Sequence, residues 1–304
     1  MSDVRFDGKV ALVTGAGGGL GKSHALLLAA RGAKVVVNDI GGALSGEGRS
    51  QTPAQDVVDE ILASGGQAIA NYDSVTLREG ADSMVASALD RFGRLDILIN
   101  NAGILRDKSF HKLEESDWDR VLEVHLKGAF NVTQSAWPGM RERGYGRIIM
   151  TSSGAGLYGN FGQAPYSAAK MALAGLGRTL AMEGAKYNLH TNIIAPVARS
   201  RMTETILSSD LLESLGPELV SPLVAWLCHE ACETNGAIYE IGGGMVTRLE
   251  WARSKPFAAG TSEDFTPEAL RDAWDRINDM SEGKVCKSFQ ESLRQLLAVA
   301  TGKS

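Results

Sequence analysis

Cysteine is scarce in this chain. Three occur in 304 residues, Cys228, Cys232 and Cys286, and an odd count argues against a disulfide framework. Cys228 and Cys232 stand four apart with His229 between them. Three ligands without a fourth make a poor zinc site, so no metal is expected. The thiols read as packing groups in a reducing compartment, and the chain as cytoplasmic. Basic charge is also short, with a net charge of −5, which argues against a nucleic-acid surface or an anionic-membrane surface. No apolar run reaches the ~20 residues that span a bilayer. The opening Met1-Ser2-Asp3-Val4-Arg5 is polar and leads straight into the fold, so no signal peptide is expected. The closing Thr301-Gly302-Lys303-Ser304 lacks the strand and helix of a P-loop, and it is not a Ser-Lys-Leu terminus. Repeats and low-complexity tracts are absent. These absences leave a globular domain of ordinary composition, 44% hydrophobic, about 250 residues long with an extension.

What is present begins with a nucleotide signature. Lys9-Val10-Ala11-Leu12-Val13-Thr14 reads as a buried parallel strand, because its apolar run is almost unbroken. Gly15-Ala16-Gly17-Gly18-Gly19-Leu20-Gly21 follows, then a helical run from Lys22 to Arg31, then Val35-Val36-Val37-Asn38 ending in Asp39. Strand, glycine turn, helix, strand and terminal acid form the dinucleotide pattern. The glycines let the backbone approach a pyrophosphate, whose charge lies at the positive end of the helix. A carboxylate at Asp39 accepts hydrogen bonds from ribose hydroxyls and repels a 2′-phosphate. No Arg or Lys stands inside the turn or beside Asp39, and Lys22 comes just after it. The expected cofactor is therefore NAD.

The second signature is chemical. Tyr166 and Lys170 are four residues apart in an Ala- and Leu-rich helical run, so they share one face. A neighbouring cation favours phenolate over phenol, which makes Tyr166 a candidate acid/base with Lys170 lowering its pKa. Ser153, upstream in Ser152-Ser153-Gly154, is a candidate to hold a substrate oxygen beside it.

The spacing Gly15, Gly19, Gly21, then Asn100-Asn101-Ala102-Gly103, then Ser153, Tyr166 and Lys170 resembles the short-chain dehydrogenase/reductase family over roughly residues 5 to 245. The resemblance implies an α/β, doubly wound Rossmann fold with a seven-stranded parallel sheet, assembled as a homodimer or homotetramer. It implies that Gly15, Gly19, Leu20, Gly21, Asp39, Asp73, Ser74, Asn101, Tyr166, Lys170, Ala198 and Arg199 contact the cofactor. Ser153 and Tyr166 would also contact the substrate. Further stretches, among them Gly103-Ile104-Leu105-Arg106-Asp107, Tyr158-Gly159-Asn160-Phe161-Gly162-Gln163 and Ser200-Arg201-Met202-Thr203, resemble the (3R)-hydroxyacyl-CoA dehydrogenase modules within that family. They imply NAD-dependent interconversion of (3R)-3-hydroxyacyl-CoA and 3-oxoacyl-CoA. Arg106, Lys108, Arg248 and Arg253 are candidates for CoA phosphates, set against a plain role as surface charge. Alternatives are a 17β-hydroxysteroid substrate, an acyl-carrier-protein thioester, or a silent nucleotide-binding scaffold.

Two positions depart from the family pattern. His125, in Val124-His125-Leu126-Lys127-Gly128, stands where the family places an Asn that anchors a relay water. A neutral imidazole holds such a water and titrates near physiological pH. The other reading is a satisfied core histidine. Pro196-Val197 replaces the family's Pro-Gly pair. The chain then divides near residue 248, giving a dehydrogenase domain over 1–248 and an extension over 249–304. Thr266-Pro267-Glu268 signals a helix start there, and the extension is expected to pack at a dimer interface.

Overall fold

The run Val10–Thr14 forms β1 with every residue buried, as a strand covered on both faces requires. Lys34–Asn38 (β2) lies on one side of it and Ile97–Asn100 (β4) on the other, both parallel. The computed structural model describes residues 3–198, 214–260 and 263–300. Sheet order reverses beside β1: β3 (Gln67–Asn71) flanks β2, while β5 (Gly146–Thr151), β6 (Leu189–Pro196) and β7 (Ile238–Gly242) continue beyond β4. Ligands of such sheets bind at the carboxyl ends of the strands beside that reversal. Thr14, Asn100 and Thr151 end their strands there.

The seven parallel strands gain an eighth neighbour, β8 (Met245–Leu249), at the β7 edge. Gly243 and Gly244, at φ 56° and 79°, make a two-residue turn. Such a short link can only return the chain antiparallel. The triple glycine therefore opens a hairpin as well as closing the parallel sheet.

Helices cover both faces: α1 (Gly19–Ala30), α2 (Thr52–Ala63), α3 (Arg78–Phe92), α4 (Glu115–Leu122), α5 (Gly128–Arg143), α6 (Gly154–Tyr158), α7 (Ala164–Gly184) and α8 (Ser221–Cys228). Cys228 and Cys232 are core residues with Val220, Val224 and Leu227. A π-helical turn, Glu123–Lys127, joins α4 to α5. Its extra residue shifts the helical register, and it carries His125.

The chain separates into two compact units, Met1–Arg248 and Leu249–Ser304. The second contains α9 (Pro267–Asp272), α10 (Trp274–Asn278), α11 (Phe289–Ala300) and a small ribbon of β9 (Ala252–Arg253) and β10 (Lys284–Val285). Thr266 caps α9, its Oγ1 accepting from the Ala269 N–H at 3.1 Å.

Candidate active site

The glycine turn is built for close approach. Gly15 and Gly19 have φ of 63° and 50°, in the left-handed region that side chains avoid. A Cβ on Gly21 would lie 2.2 Å from the Gly15 carbonyl oxygen, and one on Gly17 would lie 2.9 Å from the Asp39 carboxylate. Helix α1 starts without a side-chain cap, so its first N–H groups remain available to an anion. Leu20 follows Gly19 in that first turn.

Asp39 braces the turn. Its Oδ2 accepts from the Gly17 N–H at 2.8 Å and its Oδ1 from the Gly41 N–H at 2.7 Å. A carboxylate has further lone pairs for ribose hydroxyls. Lys22 pairs with Glu60 at 2.7 Å. Asn101 donates from Nδ2 to the Thr14 and Gly15 carbonyls, each at 3.0 Å, tying β4 to the turn. Thr14, which carries no sequence signal, accepts the Asn101 and Ala102 N–H groups on Oγ1 at 3.0 and 3.1 Å. Asp73 accepts from Asn71 Nδ2 at 2.9 Å and from Ser83 Oγ at 2.7 Å, and Ser74 pairs with Thr76 at 2.9 Å. The Ala198 residue is buried. Arg199, with Ser200-Arg201-Met202-Thr203, lies outside the described residues. A dinucleotide fits the cradle, the brace and the helix end together.

The chemical groups converge at the end of β5. Ser153 starts α6, its Oγ accepting from the Ala155 N–H at 3.2 Å, and its hydroxyl faces Tyr166 closely enough to favour the phenolate. Lys170 is buried, and its Nζ donates to the Thr151 carbonyl at 2.6 Å. The same Nζ lies 5.5 Å from the centre of the Tyr166 ring. A Cβ on Gly156 would lie 2.6 Å from Lys170 Cβ, so α6 and α7 pack closely.

The electrostatics differ from the sequence expectation. Burial raises the Tyr166 pKa, the Ser153 hydrogen bond opposes it, and the Asp107 charge adds to the rise. Burial also lowers Lys170 to about 7. An amine near half-charge at neutral pH pulls weakly on its neighbour, so the expected lowering of Tyr166 is outweighed by desolvation.

Burial acts on His125 as well. It is buried, its Nε2 lies 2.8 Å from the Ile104 carbonyl oxygen, and its ring meets Tyr166 edge-on at 5.1 Å. Burial chiefly, with the Lys170 charge, lowers its pKa to about 3, against the Ile104 hydrogen bond. It is therefore neutral at physiological pH and does not titrate there. Its Nδ1 and the Asn100 Oδ1 have no hydrogen-bond partner among the described residues. Both residues line a cavity of about 10 Å³ with Lys170 and Thr14, which is room for one water. A Cβ on Gly103 would lie 2.4 Å from the imidazole.

The cationic candidates for CoA are engaged elsewhere. Arg106 pairs with Asp117 at 2.8 Å and with Glu47 at 3.5 Å, and Lys108 pairs with Asp117 at 2.7 Å and Glu114 at 3.2 Å. Arg253 donates to Ser292 Oγ at 3.0 Å.

Residues 9–210 match the short chain dehydrogenase family. The chain belongs to the short-chain dehydrogenase family. As a short-chain dehydrogenase it is an oxidoreductase, built on a Rossmann-type sheet. It is 53% identical over 299 residues to mouse peroxisomal multifunctional enzyme type 2, covering 98% of this chain and 40% of that protein. The chain thus spans less than half the length of that relative. A hydroxyacyl-CoA dehydrogenase of Mycobacterium tuberculosis is 39% identical over 282 residues, covering 86% of each chain. Among solved structures, a 7α-hydroxysteroid dehydrogenase complexed with NADH and 7-oxo glycochenodeoxycholic acid superposes with a TM-score of 0.72 at 31% identity. It covers 80% of this chain and 98% of the other.

The cytoplasmic expectation is overturned by the mouse relative, a peroxisomal enzyme by name. Cysteine content reports a reducing compartment, whereas an organelle address is read by a receptor. Composition does not separate the two.

Proposed function

We propose that this dehydrogenase interconverts (3R)-3-hydroxyacyl-CoA and 3-oxoacyl-CoA with NAD. The observation that carries the reaction class is the convergence of Ser153, Tyr166 and Lys170 at the end of β5, beside the glycine turn. The acyl-CoA substrate is supported by the mouse and mycobacterial relatives. Asp39 favours NAD over NADP, because a 2′-phosphate would face its carboxylate. The ion pair that directs Lys22 to Glu60 engages the cation that follows the glycine turn in sequence.

NAD, when bound, supplies the hydride acceptor. Gly15, Gly19, Leu20 and Gly21 would hold its pyrophosphate, Asp39 its adenosine ribose, and Asp73 and Ser74 the adenine side. Asn101, Ala198, Arg199, Tyr166 and Lys170 would frame the nicotinamide end. Tyr166 takes the proton from the 3-hydroxyl as C3 gives up its hydride, and returns it in reduction. Ser153 donates a hydrogen bond to the same oxygen and stabilises its developing charge. His125, neutral, holds a water in the small cavity and so links Lys170 to a proton path. The unit of residues 249–304 joins two copies into a homodimer.

The test is turnover of separate 3R and 3S 3-hydroxyacyl-CoA enantiomers with NAD or NADP, followed by nicotinamide absorbance. Preference for 3R and NAD is expected, and preference for 3S or NADP would overturn the reading. A second reading, a hydroxysteroid substrate, is favoured by the steroid-bound neighbour. Turnover of a steroid alcohol in place of the thioester would select it.

A further inference from the structure

Asp107 lies outside the groups assigned above. It sits in the segment leaving β4, and its Oδ2 accepts a hydrogen bond from Gln163 Nε2 at 2.7 Å. Gln163 is buried and stands immediately before α7, and its Oε1 accepts from Asn160 Nδ2 at 2.9 Å. One residue along, the Lys108 N–H donates to the Gly162 carbonyl at 2.9 Å. Two adjacent residues thus fasten the β4 exit to the loop that opens α7. Tyr166 is in the first turn of that helix, so this latch sets the angle at which the phenol meets Ser153.

We propose that Asp107 is a positioning residue for Tyr166: through Gln163 it fixes the first turn of α7, and it brings a carboxylate to the surroundings of the phenol. The inference rests on Tyr166 as the acid/base. Asp107 ionises in a partly desolvated setting, where burial holds its own pKa up and Gln163 opposes that. Its charge is one of the influences that raise Tyr166. Among the described residues, the other groups facing the phenol are the Ser153 hydroxyl, the neutral His125 ring and Lys170. The cations on either side of Asp107 in sequence, Arg106 and Lys108, are both drawn to Asp117. Among the described residues, no cation pairs with Asp107 to cancel its charge on the phenol. A carboxylate near a helix N-terminus is also favourably placed against the helix dipole.

Charge and latch are separable. Asp107→Asn keeps an acceptor for Gln163 and removes the charge, whereas Gln163→Leu keeps the charge and removes the latch. The Tyr166 titration is read, without substrate, as the difference in tyrosinate absorbance between each chain and its Tyr166→Phe counterpart. Asp107→Asn should move that titration, and the acid limb of alcohol oxidation, to lower pH. Gln163→Leu should lower kcat roughly tenfold with the KM for dinucleotide unchanged. Asp107→Glu should keep the wild-type titration. An unmoved titration in Asp107→Asn overturns the proposal, and so does Asp107→Glu shifting as Asn does. Absence of thioester turnover together with a moved titration would sink the substrate reading and leave this inference standing.

Discussion

Tyr166 must lose its proton to accept one from an alcohol, yet burial holds that proton on. The Ser153 hydrogen bond favours the phenolate, and a positively charged nicotinamide ring beside the phenol would add to that pull. Tyr166→Phe removes the only ionisable atom at that point. Turnover should fall by at least roughly a thousandfold, while NADH binding, followed by its fluorescence, should persist. Loss of binding in parallel would mean that the hydroxyl itself helps to hold the cofactor. Asp39 poses a different question, because its carboxylate both braces Gly17 and Gly41 and bears the charge that meets the ribose. Asp39→Asn keeps one acceptor and neutralises the charge. The kcat/KM for NAD should drop about tenfold, or ~1.4 kcal/mol, and that for NADP should rise. An unchanged cofactor ratio would show that the discrimination lies elsewhere.

At the scale of elements, the β1–α1 turn depends on absent side chains. A methyl on Gly21 would press on the Gly15 carbonyl at 2.2 Å, and backbone on both sides leaves it no room. Gly21→Ala should cost about 1–3 kcal/mol of stability and weaken dinucleotide binding, measurable by thermal melting with and without NADH. A full melt with normal NADH stabilisation would contradict this packing. The turn was legible in sequence because glycine spacing, strand and terminal acid are all local signals. Ser153, Tyr166 and Lys170 were legible for the same reason. The direction of the Tyr166 shift was not, because it depends on how deeply α7 buries Lys170, a tertiary quantity. Asp107 and Gln163 stand 56 positions apart, and nothing in either local sequence announces their bond. The pairing of Arg106 and Lys108 with Asp117 is hidden in the same way. The π turn that presents His125 follows from no residue pattern, since Glu123–Lys127 reads as ordinary helix.

Across the whole molecule, buried histidines tie stability to pH. His24 is held near 3 by burial, and His125 near 3 by burial chiefly, against about 6.5 in the unfolded chain. As pH falls from about 6.5 toward 3, the unfolded chain takes up protons that the fold refuses, so stability declines in that window and is retained above it. His24→Asn should flatten the slope by about one proton, read from denaturant midpoints across pH. An equal slope would place the proton uptake on other groups. Assembly is the larger question at this scale. Among the described residues of 249–300 none is buried, and Phe289, Leu293 and Leu296 are 74%, 41% and 64% exposed on α11. Their spacing of i, i+4 and i+7 sets them on one helical face. Exposed apolar faces of that kind mark association surfaces, and a second copy is the partner proposed above. Placing a charge there would bury an unpaired ammonium in the dimer, which costs several kcal/mol. Leu293→Lys with Leu296→Lys should therefore shift the sedimenting species from dimer to monomer at micromolar concentration, while residues 1–248 keep their melting transition. A doubly substituted chain that still sediments as a dimer would move the interface away from α11.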